Sequence, residues 1–415
     1  MTIPQQPTHK TPLIRKTTLL ILCLLISAAL CISAAAAAGG SGIAGDPYLI
    51  ETPAELQAMN TDLAAYYAMQ NDIDLTGVTW NPVGSTTTPF IGGLTGNNHT
   101  ITGLTISRST TDYQALFGVL GPGVVISNIY MTNCDISGRG SVGALFGRVI
   151  MASGTNTTCI ITNVDISNSK ITGVTDYIGS LGGLSITYAN LDVSYCDMEN
   201  NTISTGGTTC GGLMGYGAHT NSQATIANCT IANCSVTSGG NHCGGLMGYG
   251  AYTNSQATAT NCVVENCVVI SGGNTCGGLM GSGAYTNSQA TATNCVVENC
   301  VVISGGNYCG GLMGIGAYTN SQATATNCVV ENCVVISGGY YCGGLMGNGA
   351  FTNSQATASG CTVTKNTLVS TSGYTAGAFG RIYPGCAGYV DGCTFEDNTI
   401  IALGGISAGV VAAWS

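Results

Sequence analysis

Cysteine is the residue type whose placement most invites chemistry in this chain. Cys210, Cys243, Cys276, Cys309 and Cys342 each open the segment C-G-G-L-M-G and recur every 33 residues. Cys196, Cys229, Cys262, Cys295, Cys328, Cys361 and Cys393 form a second series, and Cys134 followed by Cys234, Cys267, Cys300 and Cys333 a third; Cys159 and Cys386 stand outside. If the repeats stack in register, each series becomes a ladder with rungs ~4.8 Å apart, a Cα separation that a disulfide accepts. A bridge closing one repeat would stabilise by about 3.5 kcal/mol through chain entropy. Spacing does not fix connectivity, so links along a ladder, between ladders and to another chain all stay open. Buried thiols acting as small apolar groups are the alternative. Metal ligation is not expected, because no C-x-x-C pair repeats and histidine is scarce; nor does any motif call for a cofactor.

Two further columns carry functional groups. Glu265, Glu298 and Glu331 share the period, and paired carboxylates serve acid and base chemistry in some carbohydrate-active enzymes. Three identical carboxylates on identical repeats, with no Lys, Arg or His beside them, instead read as a solvated ladder, and no enzyme is expected. Tyr252, Tyr285, Tyr318 and Phe351, preceded by His219, form an aromatic column next to T-N-S-Q. Ring stacking there would stiffen the repeat array, and glycans lying over the rings are the functional alternative.

These columns depend on elements that the repeat must supply. A period of 33 residues marks a solenoid or a propeller. The pattern anchors at Ile129, Val164, Cys196 and on to Cys393, so about nine units fill residues 100 to 400. In A-T-N-C-V-V-E-N-C-V-V-I-S the apolar positions common to all units fall at every second residue and are interrupted by Asn, which signals short strands with polar bends. Glycine pairs such as Gly272-Gly273 and Gly277-Gly278 turn the chain again. Three short strands and three bends per unit make one coil of an all-β, right-handed parallel β-helix, and nine coils would build a rod roughly 40 to 45 Å long. Propeller blades are longer and rely on hairpins. Alternation also points Val263, Val268, Ile270, Val296, Val301, Ile303, Val329, Val334 and Ile336 outward, an exposed apolar strip of the kind that marks a contact surface, unless strand propensity alone selected them.

The flanks complete the plan. Residues 1–38 place Lys10, Arg15 and Lys16 before an apolar run and then Ala34 to Ala38, the organisation of a secretory signal peptide, and the run is too short to span a bilayer. Without that segment the chain keeps the 19 acidic residues but loses three of its nine basic ones, so nucleic-acid binding is excluded. A secreted chain would meet oxidising surroundings and could carry glycans at the sequons of Asn98, Asn156, Asn200, Asn228 and Asn233. Residues 39–99 read as an N-terminal cap and lead-in strands. There Thr52-Pro53-Ala54-Glu55 is a capping box, and Leu56, Met59, Leu63 and Tyr66 predict a helix over about 53–69 that closes the first coil. Irregular coils follow over 100–206, regular ones over 207–374, and a terminal coil over 375–415, where Trp414 is a candidate cover or contact.

Gly211 to Gly215 with its four later copies, the A-L-F-G variants at Ala115 and Ala144, and the segments Pro47 to Leu75 and Gly96 to Ile101 resemble the GLUG-motif repeats of bacterial and archaeal surface proteins. Cysteine opening each motif, in place of an aliphatic residue, is similar to the cysteine-rich envelope and sheath proteins of methanogenic archaea. That resemblance implies a secreted structural subunit of a cell envelope or sheath, with further copies of itself and other envelope components as partners. It leaves a surface adhesin that binds glycans as the alternative.

Overall fold

In the computed structural model, residues 39–152, 157–185 and 188–412 are described. The expected signal peptide, Asn156 and Trp414 lie outside them. The chain winds as a parallel β-solenoid, and one of its sheets holds ten parallel strands, one per winding, from Thr105–Arg108 to Thr399–Ala402. A single apolar core runs from Ile50 to Ile382 inside the windings.

Each regular winding has five short strands where the sequence suggested three. In one of them the chain passes through Gln256–Thr260, Val263–Glu265, Val268–Ser271, Thr275–Gly277 and Met280–Ala284. Every strand pairs in parallel with its counterpart one repeat away, so that Val264 meets Val297 and Cys276 meets Cys309. The two extra strands are Thr275–Gly277 and Met280–Ala284, whose glycines had suggested turns; the bends expected at asparagine are single-residue corners. Asn254, Asn261 and Asn266 adopt left-handed φ of 52°, 53° and 53°, a conformation that Asn tolerates better than other side-chain-bearing residues. One such residue redirects the chain without a break in stacking.

The first windings depart from expectation. The α-helix α1 covers only Pro53–Ala58 and passes into a 3₁₀ turn over Met59–Thr61. The capping box is present, with Thr52 Oγ1 accepting from Glu55 N and the Glu55 carboxylate accepting from Thr52 N at 2.9 Å. The apolar spacing continues past Thr61, but Tyr66–Met69 is a strand between Tyr48–Ile50 and the first part of Gly93–Thr102. Sheet pairing on both sides outweighs helical spacing there. Winding therefore begins before residue 100, with Tyr48–Ile50 as the outermost strand and α1 as its crossover. Leu56 and Met59 are wholly buried in the N-terminal end of the core.

Candidate functional site

The cysteine ladders start from the corners. In T-N-C, E-N-C and T-N-S the residue after the left-handed Asn turns inward: Cys262, Cys267 and Ser255 are all buried. Each side chain then donates to the carbonyl two residues back, Cys262 Sγ to Thr260 O at 3.4 Å, Cys267 Sγ to Glu265 O at 3.1 Å and Ser255 Oγ to Thr253 O at 3.0 Å. The corner residue's own N–H, bent away from the regular ladder, finds its acceptor one winding on. Cys234 N donates to Cys267 Sγ, Cys267 N to Cys300 Sγ and Cys300 N to Cys333 Sγ, at 3.3 to 3.4 Å.

That column is not made of cysteine alone. Cys134 N donates to Ser169 Oγ, Ser169 N to Asn201 Oδ1, Asn201 N to Cys234 Sγ and, at the far end, Cys333 N to Asn366 Oδ1. The third ladder is thus one continuous column from Cys134 onward, with Ser169 and Asn201 filling the interval that the cysteine spacing left open. The column led by Cys210 differs. Cys210, Cys243, Cys276, Cys309 and Cys342 stand in register on neighbouring strands, and Cys243 Sγ donates across the interior to Val236 O at 3.4 Å.

In this structure the ladder cysteines stand as hydrogen-bonded thiols. All nineteen described cysteines are free, and Cys386 and Cys393 alone among them are not buried. Burial pushes the Cys134 thiol up to about 11 and Cys159 to about 12, and it raises Cys210, Cys276 and Cys342 well above the ordinary thiol range. A buried thiol with two carbonyl neighbours has no route to a second chain, so bridges between molecules are confined to Cys386 and Cys393.

Of the nine Val and Ile of the strip, Val268 and Val334 are exposed and the other seven are half-buried. Val263, Val296 and Val329 share one register, Val268, Val301 and Val334 a second, and Ile270, Ile303 and Ile336 a third. All point away from the core, with Val268 38% and Val334 36% exposed. Glu265, Glu298 and Glu331 stack beside them, flanked by Ala232 and Thr364. Burial and then the neighbouring Glu298 raise the Glu265 carboxyl. A basic partner does stand here: Lys365 Nζ lies 2.7 Å from Glu331 Oε1. It was invisible in the repeat because it belongs to the irregular winding beyond it.

The aromatic column stacks closely. Tyr252 on Tyr285, Tyr285 on Tyr318 and Tyr318 on Phe351 have centroids 5.2, 4.4 and 4.6 Å apart and planes within 17° of parallel. A sugar packs on a ring face, and these faces are taken by one another, so this column offers edges and hydroxyls only. A second aromatic set was missed because its members vary between repeats. Tyr308, Tyr341 and Tyr374 stack on the adjoining strands, and Tyr249 stacks on Tyr216 with 4.8 Å between centroids.

No family model matches the chain. A stretch of 119 residues, 26% of the chain, is 39% identical to a Gly-rich membrane protein of Evansella cellulosilytica, of which it spans 14%. Another of 148 residues, 32% of the chain, is 32% identical to halomucin of Haloquadratum walsbyi, of which it spans 2%. The chain thus matches only a small part of either relative. Among solved structures it is similar to a Bacteroides ovatus protein described as an immunoglobulin A1 protease, with 18% identity, TM-score 0.46, and 76% and 85% of the two chains covered. The A-module of the Azotobacter vinelandii mannuronan C-5 epimerase AlgE4 follows at 11% identity and TM-score 0.29, with 91% and 96% covered.

Proposed function

We propose that this chain is a secreted structural rod of a cell surface, an envelope or sheath subunit that packs side by side with copies of itself, and that it is not an enzyme. The observation that carries the reading is the strip of nine Val and Ile side chains, in register and outward, on three windings whose neighbours carry Ser235 and Thr367 at the same position. A solvated strand face draws only on the strand propensity of Val and Ile, whereas a lateral contact also buries them at about 25 cal/mol per Å². The resemblance to GLUG-motif surface proteins supports a place outside the cell, as do relatives named for a membrane and as a halomucin. Among the described residues no helix is long and apolar enough to cross a membrane.

Sedimentation of the protein under reducing conditions tests the proposal. The wild type should self-associate with rising concentration, and Val268→Thr, Val301→Thr and Val334→Thr together should leave a folded monomer. A wild type that stays monomeric at high concentration would sink it.

A further inference from the structure

The windings 243–275, 276–308 and 309–341 are identical except at three positions: Tyr249, Ser282 and Ile315; Asn274, Asn307 and Tyr340; and Thr275, Tyr308 and Tyr341. None of these changes is needed to form a strand, a corner or the core, and all fall on one side of the rod. Followed along the strands, the winding from Gln256 to Ala284 carries two small residues, Thr275 and Ser282, whereas the windings beside it carry His242 with Tyr249 and Tyr308 with Ile315. Thr275 and Ser282 stand side by side there, between larger groups above and below. The result is a notch of about 340 Å³, within the usual size range of small-molecule sites.

His242 and Tyr249 form one wall of the notch and Tyr308 and Ile315 the other. Tyr308 stacks on Tyr341 with one face, 5.5 Å between centroids and 12° between planes. On the other side Thr275, a small residue, stands in register with it, and Tyr308 lines the notch. The floor is polar: His242 Nδ1 lies 2.7 Å from Thr275 Oγ1 and 3.0 Å from Ser282 Oγ. Packing pushes the His242 imidazole down to about 4, so it is neutral at physiological pH. The Tyr249 hydroxyl is buried in the wall without a hydrogen-bond partner, which a ligand hydroxyl would supply. No charged side chain lines the notch.

A flat apolar platform, hydroxyl and neutral imidazole partners, and no charge together suit a ring that is apolar on its face and hydroxylated on its rim. We propose that the notch between His242 and Tyr308 binds a single neutral pyranose unit of a carbohydrate. The sugar's C–H face would lie on Tyr308, and its hydroxyls would reach Thr275 and Tyr249, both of which line the notch. The chain's net charge of −10 disfavours an acidic sugar in the same place.

Saturation-transfer NMR of the full chain with the methyl pyranosides of glucose, galactose, mannose and N-acetylglucosamine tests this, with glucuronate as the charged comparison. At least one neutral pyranoside should bind saturably and glucuronate should not. Thr275→Tyr fills the notch with the residue that the next winding carries, so it should fold as the wild type does and weaken binding about tenfold or more. Tyr308→Thr removes the platform and should do the same, whereas Tyr374→Thr, two windings away, should leave affinity unchanged. Absence of binding by all four sugars, equal binding of glucuronate, or unaltered affinity in a folded Thr275→Tyr variant would overturn the assignment. Each readout is independent of self-association, so the lateral strip can fail while the notch stands.

Discussion

A thiol serves this fold as a short, weakly polar side chain that satisfies a corner. Cys300 shows the arrangement: it accepts from Cys267 N at 3.4 Å and donates to Val264 O and Glu298 O at 3.4 and 3.1 Å. Serine and asparagine do the same work at Ser169 and Asn366 on that column, which argues that hydrogen-bonding capacity, and not the sulfur, is what the position requires. Cys300→Ser should therefore cost within about 1 kcal/mol, and Cys300→Val, which cannot accept a hydrogen bond, should cost about 1 to 3 kcal/mol because it strands a buried N–H. Urea unfolding of both variants with reductant present checks the order, and a valine variant as stable as the wild type would refute the role assigned to the thiol.

At the scale of the strand and turn, glycine sets how tightly neighbouring segments approach. A Cβ placed on Gly310, the first glycine of C-G-G, would sit 1.9 Å from Met313 O, and backbone cannot move aside as a side-chain tip can. Gly310→Ala should destabilise by about 3 kcal/mol or more, while Gly409→Ala, which meets nothing within 4 Å, should stay within about 0.5 kcal/mol. Thermal midpoints of the two proteins check this, and equal losses would show that the close approach does not matter. Much of this element-level design was legible in the sequence. Alternation gave the inward and outward faces of Val263 to Ile270, and the period gave the register of Cys210, Cys243 and their successors. The strand count was not legible, because the glycines of Thr275–Gly277 and Met280–Ala284 read as turns although both segments pair as strands. Nor was the true end of α1, where strands from distant parts of the chain decide the state of Tyr66–Met69. The notch escaped for a different reason: repeat analysis weights what is shared, and Thr275 and Ser282 matter by being different.

Over the whole molecule, each winding touches only its neighbours, so stability is close to a sum of windings and of the contacts between them. Removing residues 276–308 is a direct test, because Thr275 would then precede Cys309 and every inner rung would meet its own kind, Cys243 against Cys309, Met247 against Met313 and Val264 against Val330. The shortened protein should fold, keep its β-sheet circular dichroism and shorten by one strand spacing, ~4.8 Å, in small-angle scattering. It should unfold at a modestly lower denaturant concentration, having lost one winding and one interface. Ile315 would replace Ser282 beside Tyr249 and narrow the notch, so pyranoside binding should fall away in a rod that is otherwise intact. A deletion that aggregates or loses its sheet signal would show that the windings are not equivalent units. One that folds and still binds would place recognition elsewhere on the rod.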